Sequence, residues 1–208
     1  MTSGTPPTSS VHRVSRGAAI TLDEVGTGLV DAARTVLERD GAAGFTVRAI
    51  AAAAGTSTMA VYTRFGGKDG VVEQLWTQGF DLLAEAMNEA GTTDDPLADL
   101  QRCGQAYRRF ALQHTTLYRV MFSDAVPDYV PSEPARLHAL GTLEALAAKL
   151  DRAMQAGQLR PIDPLRAAAM VWSTCHGVMS LELAHKDPID WTGVFEDAVA
   201  NLVRGMMA

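Results

Sequence analysis

The stretch TVRAIAAAAGTSTMAVYTRFGGK, residues 46–68, decides the fold. Thr46 stands before the first apolar residue as a helix N-cap, because its hydroxyl can accept from a backbone N–H of the first turn. Val47, Ile50, Ala51 and Ala54 then recur at helical spacing and make one buried stripe. Gly55 stops that short helix, Thr56 and Ser57 make a tight turn, and a second short helix runs from Thr58 to about Phe65 before Gly66 and Gly67. Two short helices across a tight turn form a helix-turn-helix, whose second helix enters a DNA major groove by its N-terminal end. Such a recognition helix needs an apolar back, which Ala60, Val61 and Phe65 supply. Its front needs small or hydrogen-bonding residues, and Ser57, Thr58, Met59, Tyr62, Thr63 and Arg64 offer them.

Upstream, Thr21-Leu22-Asp23-Glu24 has the form of a capping box and opens a supporting helix. Leu22, Val25, Leu29, Ala32 and Val36 give it one apolar face, and Gly41 and Gly44 end it. Residues 1–20 read as a flexible tail of small polar residues, with His12, Arg13 and Arg16 as an arm that is either solvated or reaches DNA. Downstream, a helix from Lys68 to about Ala90 carries Val72, Trp76, Gly79, Leu83 and Met87 on one face. Further helices are expected at about Leu97–His114, Leu117–Ser123, Ala135–Ala156, Asp163–His185 and Asp190–Met207. The loop 125–134 holds three prolines, and Asp163-Pro164 is an N-cap followed by proline at the first helical position. In the helix after that loop, Leu137, Leu140, Leu143, Leu146, Leu150 and Met154 stand in register as a core stripe. No strand is expected. The reading is all-α, about nine helices, with a tail at 1–20, a helix-turn-helix head at 21–67 and a larger helical domain at 68–208.

The net charge of −6 is unevenly spread. Residues 1–70 carry seven Lys/Arg against six Asp/Glu, whereas residues 71–208 carry eleven against eighteen. Between Thr46 and Lys68 every charge is positive: Arg48, Arg64 and Lys68. An acidic body with a small basic face suits a protein that meets phosphate at one end. No apolar run is long enough to span a bilayer and the start lacks an apolar signal region, so a cytoplasmic protein without membrane contact is expected. Cys103 and Cys175 belong to no close pair or zinc-type cluster, and are expected as two buried thiols. No metal and no cofactor is expected. An enzyme would need a convergent acid, base or nucleophile. His114, His138, His176 and His185 have no partner at a recognisable spacing, and there is no phosphate-binding glycine loop.

Over residues 22–70 the chain resembles the tetracycline-repressor (TetR) family of transcriptional regulators. The resemblance rests on Thr46, Ile50-Ala51, Ala54-Gly55, Tyr62, Phe65 and Lys68 at the family's spacing. Thr56 stands where the family usually has Val, and Gly70 where it often has Leu. The resemblance implies roles. Thr46 offers its hydroxyl and a backbone N–H to a phosphate, and Arg48 contacts phosphate or a base edge. Ser57, Thr58 and Met59 lead the recognition helix with Thr63 on the same outward side. Tyr62 touches backbone or a thymine methyl, Arg64 pairs with guanine or phosphate, and Lys68 clamps a phosphate.

Trp172 and His176 are four apart and share a helix face, with Gly177 beside them as a point where another helix could approach. With His114-Thr-Thr-Leu-Tyr118 and Met121-Phe122 upstream, this resembles the C-terminal domain of a TetR subgroup named for its Trp-His-Gly residues. Thr115 replaces that subgroup's usual Pro, which implies a softer kink. Such a domain implies a homodimer through the last two helices and an apolar pocket for a small-molecule effector. The expected lining is Trp76, Phe80, Tyr107, Phe110, Met121, Phe122, Trp172, Cys175, His176 and Met179. The implied function is a one-component regulator, a repressor that binds a palindromic double-stranded DNA operator and is released by a hydrophobic or aromatic effector. A helical interaction module that has lost DNA binding is the rival, and the intact Tyr62/Lys68 motif speaks against it.

Overall fold

The structure is a computed structural model that describes residues 22–123, 125–185 and 188–208. The N-terminal tail with His12, Arg13 and Arg16, and the expected cap Thr21, lie outside the described residues. Among the described residues there are nine α-helices and no strand beyond an isolated bridge between Leu159 and Met207. No helix among them is long and apolar enough to cross a membrane.

The head is α1 (Glu24–Gly44), α2 (Val47–Ala53) and α3 (Thr58–Phe65). The first helix begins three residues later than expected, because Asp23 is its N-cap: the Gly26 N–H donates to Asp23 Oδ1 at 2.7 Å. Its last turn breaks at Gly41, whose φ of 63° leaves the helical region. Thr46 caps α2 by accepting from Ala49 N–H at 3.2 Å. At the other end of α2, Gly55 takes φ +64°, a conformation that favours glycine. This lets the Gly55 N–H reach the Ala52 carbonyl at 3.2 Å and the Thr56 N–H reach that of Ala51 at 2.9 Å. Both orphan carbonyls are thereby satisfied in a Schellman closure. Ser57, two residues on, caps α3 through Ala60 N–H at 3.3 Å. The tight turn is therefore a helix stop and a helix start with no spare residue between them.

The body is α4 (Lys68–Glu89), α5 (Pro96–Gln113), α6 (Thr115–Phe122), α7 (Glu133–Gln155), α8 (Pro164–Ala184) and α9 (Trp191–Gly205). Helix α4 packs on α5, α6 and α7, and also touches α1 and α3, so it joins head to body. Its stripe Val72, Trp76, Gly79, Leu83 and Met87 is buried throughout. Helices α7, α8 and α9 pack in sequence. Between α5 and α6 the chain breaks at His114 (φ −120°, ψ 45°) without a proline, and Thr115 Oγ1 donates back to the Leu112 carbonyl at 3.2 Å.

Two expectations for α7 are corrected. It starts at Glu133, because Ser132 is its cap and Pro134 sits in the first turn, where a missing N–H costs nothing. Leu137 and Leu140 are 55% and 39% exposed, while Leu146 and Leu150 are buried. The buried line of α7 runs through Ala135, Thr142, Leu146, Leu150 and Ala153, so the expected leucine stripe meets it only toward its C-terminal end. Ser132 also fastens this helix to α4, its N–H and hydroxyl donating to the Glu73 carboxylate at 3.0 and 2.9 Å.

The α4–α5 linker is held by a buried carboxylate, Asp99. It accepts from the Thr93 N–H at 2.9 Å, from the Thr93 hydroxyl at 2.8 Å and from the guanidinium groups of Arg102 and Arg152. The Thr93 N–H, then the Thr93 hydroxyl and Arg152, hold its carboxyl well below the usual carboxylate range. A buried charge is tolerable when this fully paired.

Candidate DNA-binding surface and effector cavity

Helix α3 presents two different faces. Val61 is fully buried, and Ala60 and Phe65 pack against the same core. Ser57, Thr58, Met59, Tyr62, Thr63 and Arg64 are exposed. Met59 is 69% and Tyr62 54% exposed, a large apolar outlay for a helix whose back is already anchored. Thr46 and Arg48 are exposed at the start of α2, and Lys68 is half-buried at the start of α4.

Arg64 departs from the expected role. Its Nε donates to Asp23 Oδ1 at 3.0 Å and its Nη2 to Asp23 Oδ2 at 2.7 Å, a two-point grip on the cap of α1. The pairing with guanine or phosphate expected from its place on α3 is thus met by an internal partner. Sequence spacing could not show this, since 41 residues separate the pair.

The approach of α4 to α3 was also not legible. A Cβ placed at Gly70 would lie 1.8 Å from the Phe65 carbonyl oxygen and 2.8 Å from its carbon. Where the resemblance implies Leu, this chain has a residue without a side chain because the α3 backbone occupies the space. At Gly79 the neighbour is Met121 of α6, whose Sδ would be 2.5 Å from a Cβ.

In the body, aromatic rings of four helices meet. Phe80 of α4 lies 4.5 Å from Trp76 and 5.5 Å from Phe122 of α6, centroid to centroid. Phe122 in turn lies 5.8 Å from Trp172 and 4.8 Å from His176 of α8. Tyr107 of α5 is edge-on to Trp172 at 5.9 Å. A polar chain threads this cluster: the Tyr107 and Tyr118 hydroxyls are 3.0 Å apart, and Tyr118 lies 2.8 Å from His176 Nδ1. His176 Nε2 is 3.3 Å from Ser180 Oγ. Burial lowers the His176 pKa and so favours the neutral ring, whose tautomer sets whether Nδ1 accepts from or donates to the Tyr118 hydroxyl. Trp172 and His176 thus tie α8 to α6. No atom lies within 4 Å of a Cβ placed at Gly177, so the close helix approach expected there is absent within this chain.

A cavity of about 610 Å³ lies where α5, α8 and α9 meet, with Leu146 and Leu150 of α7 on its floor. Of the ten expected lining residues, Tyr107, Trp172 and Cys175 border it. Trp76, Met121 and Phe122 border a second cavity of about 350 Å³ beside α4 and α6. Phe80, Phe110, His176 and Met179 border neither and are packing residues, a correction to the expected lining. The larger cavity's remaining wall comes from α9, through Phe195, Val199 and Val203, which helix periodicity gave no reason to select. Cys103 and Cys175 both line it as buried, unbridged thiols. Burial pushes them up to about 11 and 12, so both are neutral at pH 7.

Two family models match the chain. Residues 29–75 match the model described as bacterial regulatory proteins, tetR family, and residues 100–204 match the tetracyclin repressor-like C-terminal domain. The chain belongs to the tetR family. It is a transcriptional regulator of that family rather than an enzyme. A relative in sequence is an uncharacterized HTH-type transcriptional regulator of Mycobacterium tuberculosis, 26% identical over 95% of this chain and 86% of that protein. Among solved structures, a protein of unknown function from Rhodococcus sp. RHA1 superposes with a TM-score of 0.77 at 24% identity, over 91% of this chain and 98% of that one. The regulator FadR from Bacillus subtilis, solved in complex with stearoyl-CoA, superposes with a TM-score of 0.74 at 18% identity, over 86% and 98%. TetR regulators bind DNA and small-molecule effectors.

Proposed function

We propose that this protein is a homodimeric one-component repressor. In this reading residues 21–67 are the DNA head and residues 68–208 the effector and dimerisation domain. The observation that carries it is the split of α3 into a locked back and an exposed front bearing Met59 and Tyr62. Ser57, Thr58, Met59, Tyr62 and Thr63 meet the bases and backbone of a major groove. Thr46, Arg48 and Lys68 hold the flanking phosphates.

A second copy covers the outer faces of α8 and α9. Met170, Ser173, Gly177 and Leu181 are exposed on α8, and Val194 is exposed on α9. The open space at Gly177 allows a helix of the other protomer to come close. The twofold then sets two recognition helices about one DNA turn apart, roughly 34 Å, on a near-palindromic operator. A hydrophobic or aromatic effector occupies the cavity between α5, α8 and α9. It favours a conformer in which the heads are wrongly spaced, and operator affinity falls because the two ligands prefer different states.

The test is binding-site selection from a randomised DNA pool at stated salt. The expected result is a pseudo-palindrome with half-sites about one turn apart. Salt-sensitive binding without a recovered motif would return the protein to the interaction-module reading.

A further inference from the structure

The charge around the larger cavity restricts what it can hold. Its inner wall is apolar, with Leu100, Leu146, Leu150 and Val171 beside the neutral thiols of Cys103 and Cys175. At its edge stand three carboxylates, Asp95, Glu196 and Asp197. Among the described residues that line it, Arg204 is the only cation, and its guanidinium donates to Asn201 Oδ1. Glu196 and Asp197 are adjacent and exposed near the start of α9. Tyr107 and Trp172, packed edge-to-face, supply two π systems on the wall. An anionic head group would meet three negative charges and no basic cradle. A cation would gain from the carboxylates, while the Tyr107 and Trp172 rings extend the wall that takes an apolar or aromatic body.

We propose that this cavity takes a cationic amphiphile, an amine or quaternary ammonium carried on an apolar or aromatic body. The proposal rests on the reading of this cavity as the effector site and names the chemical class of its ligand. The apolar body fills the space between α5, α7 and α8. The cationic head lies at the α9 edge, near Glu196 and Asp197. Stearoyl-CoA, the ligand in the Bacillus subtilis FadR structure, carries phosphates, which the three carboxylates of this cavity would repel.

The test holds the tail constant and changes the head. Decyltrimethylammonium, decanol and decanoate, each below its micellar concentration, are titrated into the full-length protein by calorimetry, with stearoyl-CoA alongside. The expected order is ammonium, then alcohol, then carboxylate, with at least about tenfold between the first and the last. Glu196→Gln with Asp197→Asn is expected to weaken the ammonium several-fold and leave decanol unchanged. Gly104→Phe fills the cavity from a position where a Cβ meets no atom within 4 Å, and is expected to abolish all binding. Decanoate or stearoyl-CoA binding as tightly as the ammonium, or an ammonium affinity indifferent to the double substitution, overturns the cationic class while the cavity reading stands. No saturable binding, or binding that Gly104→Phe does not disturb, overturns the cavity reading and the proposal with it.

Discussion

Arg64 of the recognition helix and Asp23 at the start of α1 form a two-point ion pair, with Nε–Oδ1 at 3.0 Å and Nη2–Oδ2 at 2.7 Å. The pair joins the helix that would read DNA to the helix that supports it. Arg64 therefore acts first as a brace on α3. Asp23→Asn keeps an N-cap side chain but releases the arginine. The expected outcome is tighter non-specific DNA binding with a steeper salt dependence, the logarithmic slope growing by about 0.9 per phosphate newly contacted. Arg64→Ala is expected to cost little affinity. Fluorescence anisotropy over a salt series checks both; a tenfold loss for Arg64→Ala with no gain for Asp23→Asn would make Arg64 a direct DNA contact.

The same pair has a defined acid limit. Its hydrogen bond to Arg64, then that to the Gly26 N–H, lower the Asp23 carboxyl from 3.8 to about 2. A carboxylate depressed in the folded state contributes stability that is complete above its unfolded value and is lost as pH falls through its folded value. The brace is thus expected to persist throughout the neutral range and to release only between about pH 4 and pH 2. Chemical shifts of the Asp23 carboxyl across an acid titration read this directly.

Tyr62→Ala with Lys68→Ala is expected to abolish operator binding and leave the dimer intact. Both side chains are solvent-facing or half-buried and neither belongs to the fully buried core. Sedimentation velocity beside an electrophoretic shift makes the check. A monomeric variant would refute the separation of head from dimer domain.

Gly70→Ala puts a methyl group against the Phe65 carbonyl oxygen, 1.8 Å away before relaxation. Backbone cannot rotate aside as a side chain does. The expected loss is about 1–3 kcal/mol, as for other overpacked sites, and α3 shifts with it. Thermal unfolding and DNA affinity should both fall, whereas Gly104→Ala, with open space around its Cβ, should be neutral or better.

His176 titrates against its own burial. Desolvation lowers its pKa below 6.5, so the neutral ring is the folded form. A base depressed in the folded state gives stability that is complete above the unfolded value and lost as pH falls below it. Wild-type Tm is expected to drop between pH 7 and pH 5 more steeply than that of His176→Gln, which keeps polarity without a proton to gain. Parallel profiles would mean that the Tyr118–His176 contact stays neutral for another reason.

Elements whose signal is local were legible before any tertiary contact was known. Thr46 and Asp163 cap the helices they were expected to cap, and Gly55 closes α2, because capping and Schellman closure involve residues within six positions. The apolar period of α4 placed Val72, Trp76, Leu83 and Met87 in the core because all its turns are covered. On α7 burial was over-predicted at Leu137 and Leu140, since leucines spaced by three drift about 60° per step around a helix and Leu137 ends on the side opposite Leu146, while Ala135 and Thr142 take the buried face.

The amino-acid sequence by itself determined the helices, their caps, the helix-turn-helix and the family, all of which rest on spacings within one turn or one short motif. Tertiary structure alone decided which partner each long-range side chain takes. Arg64 finds Asp23 across 41 residues, and His176 finds Tyr118 across 58. It also decided that α9 walls the larger cavity while Phe80, Phe110 and Met179 serve as packing. The physical reason is that a helix face is a property of the chain's own period, whereas a cavity is the space left between faces. Its lining follows from how helices distant in sequence come to rest against one another.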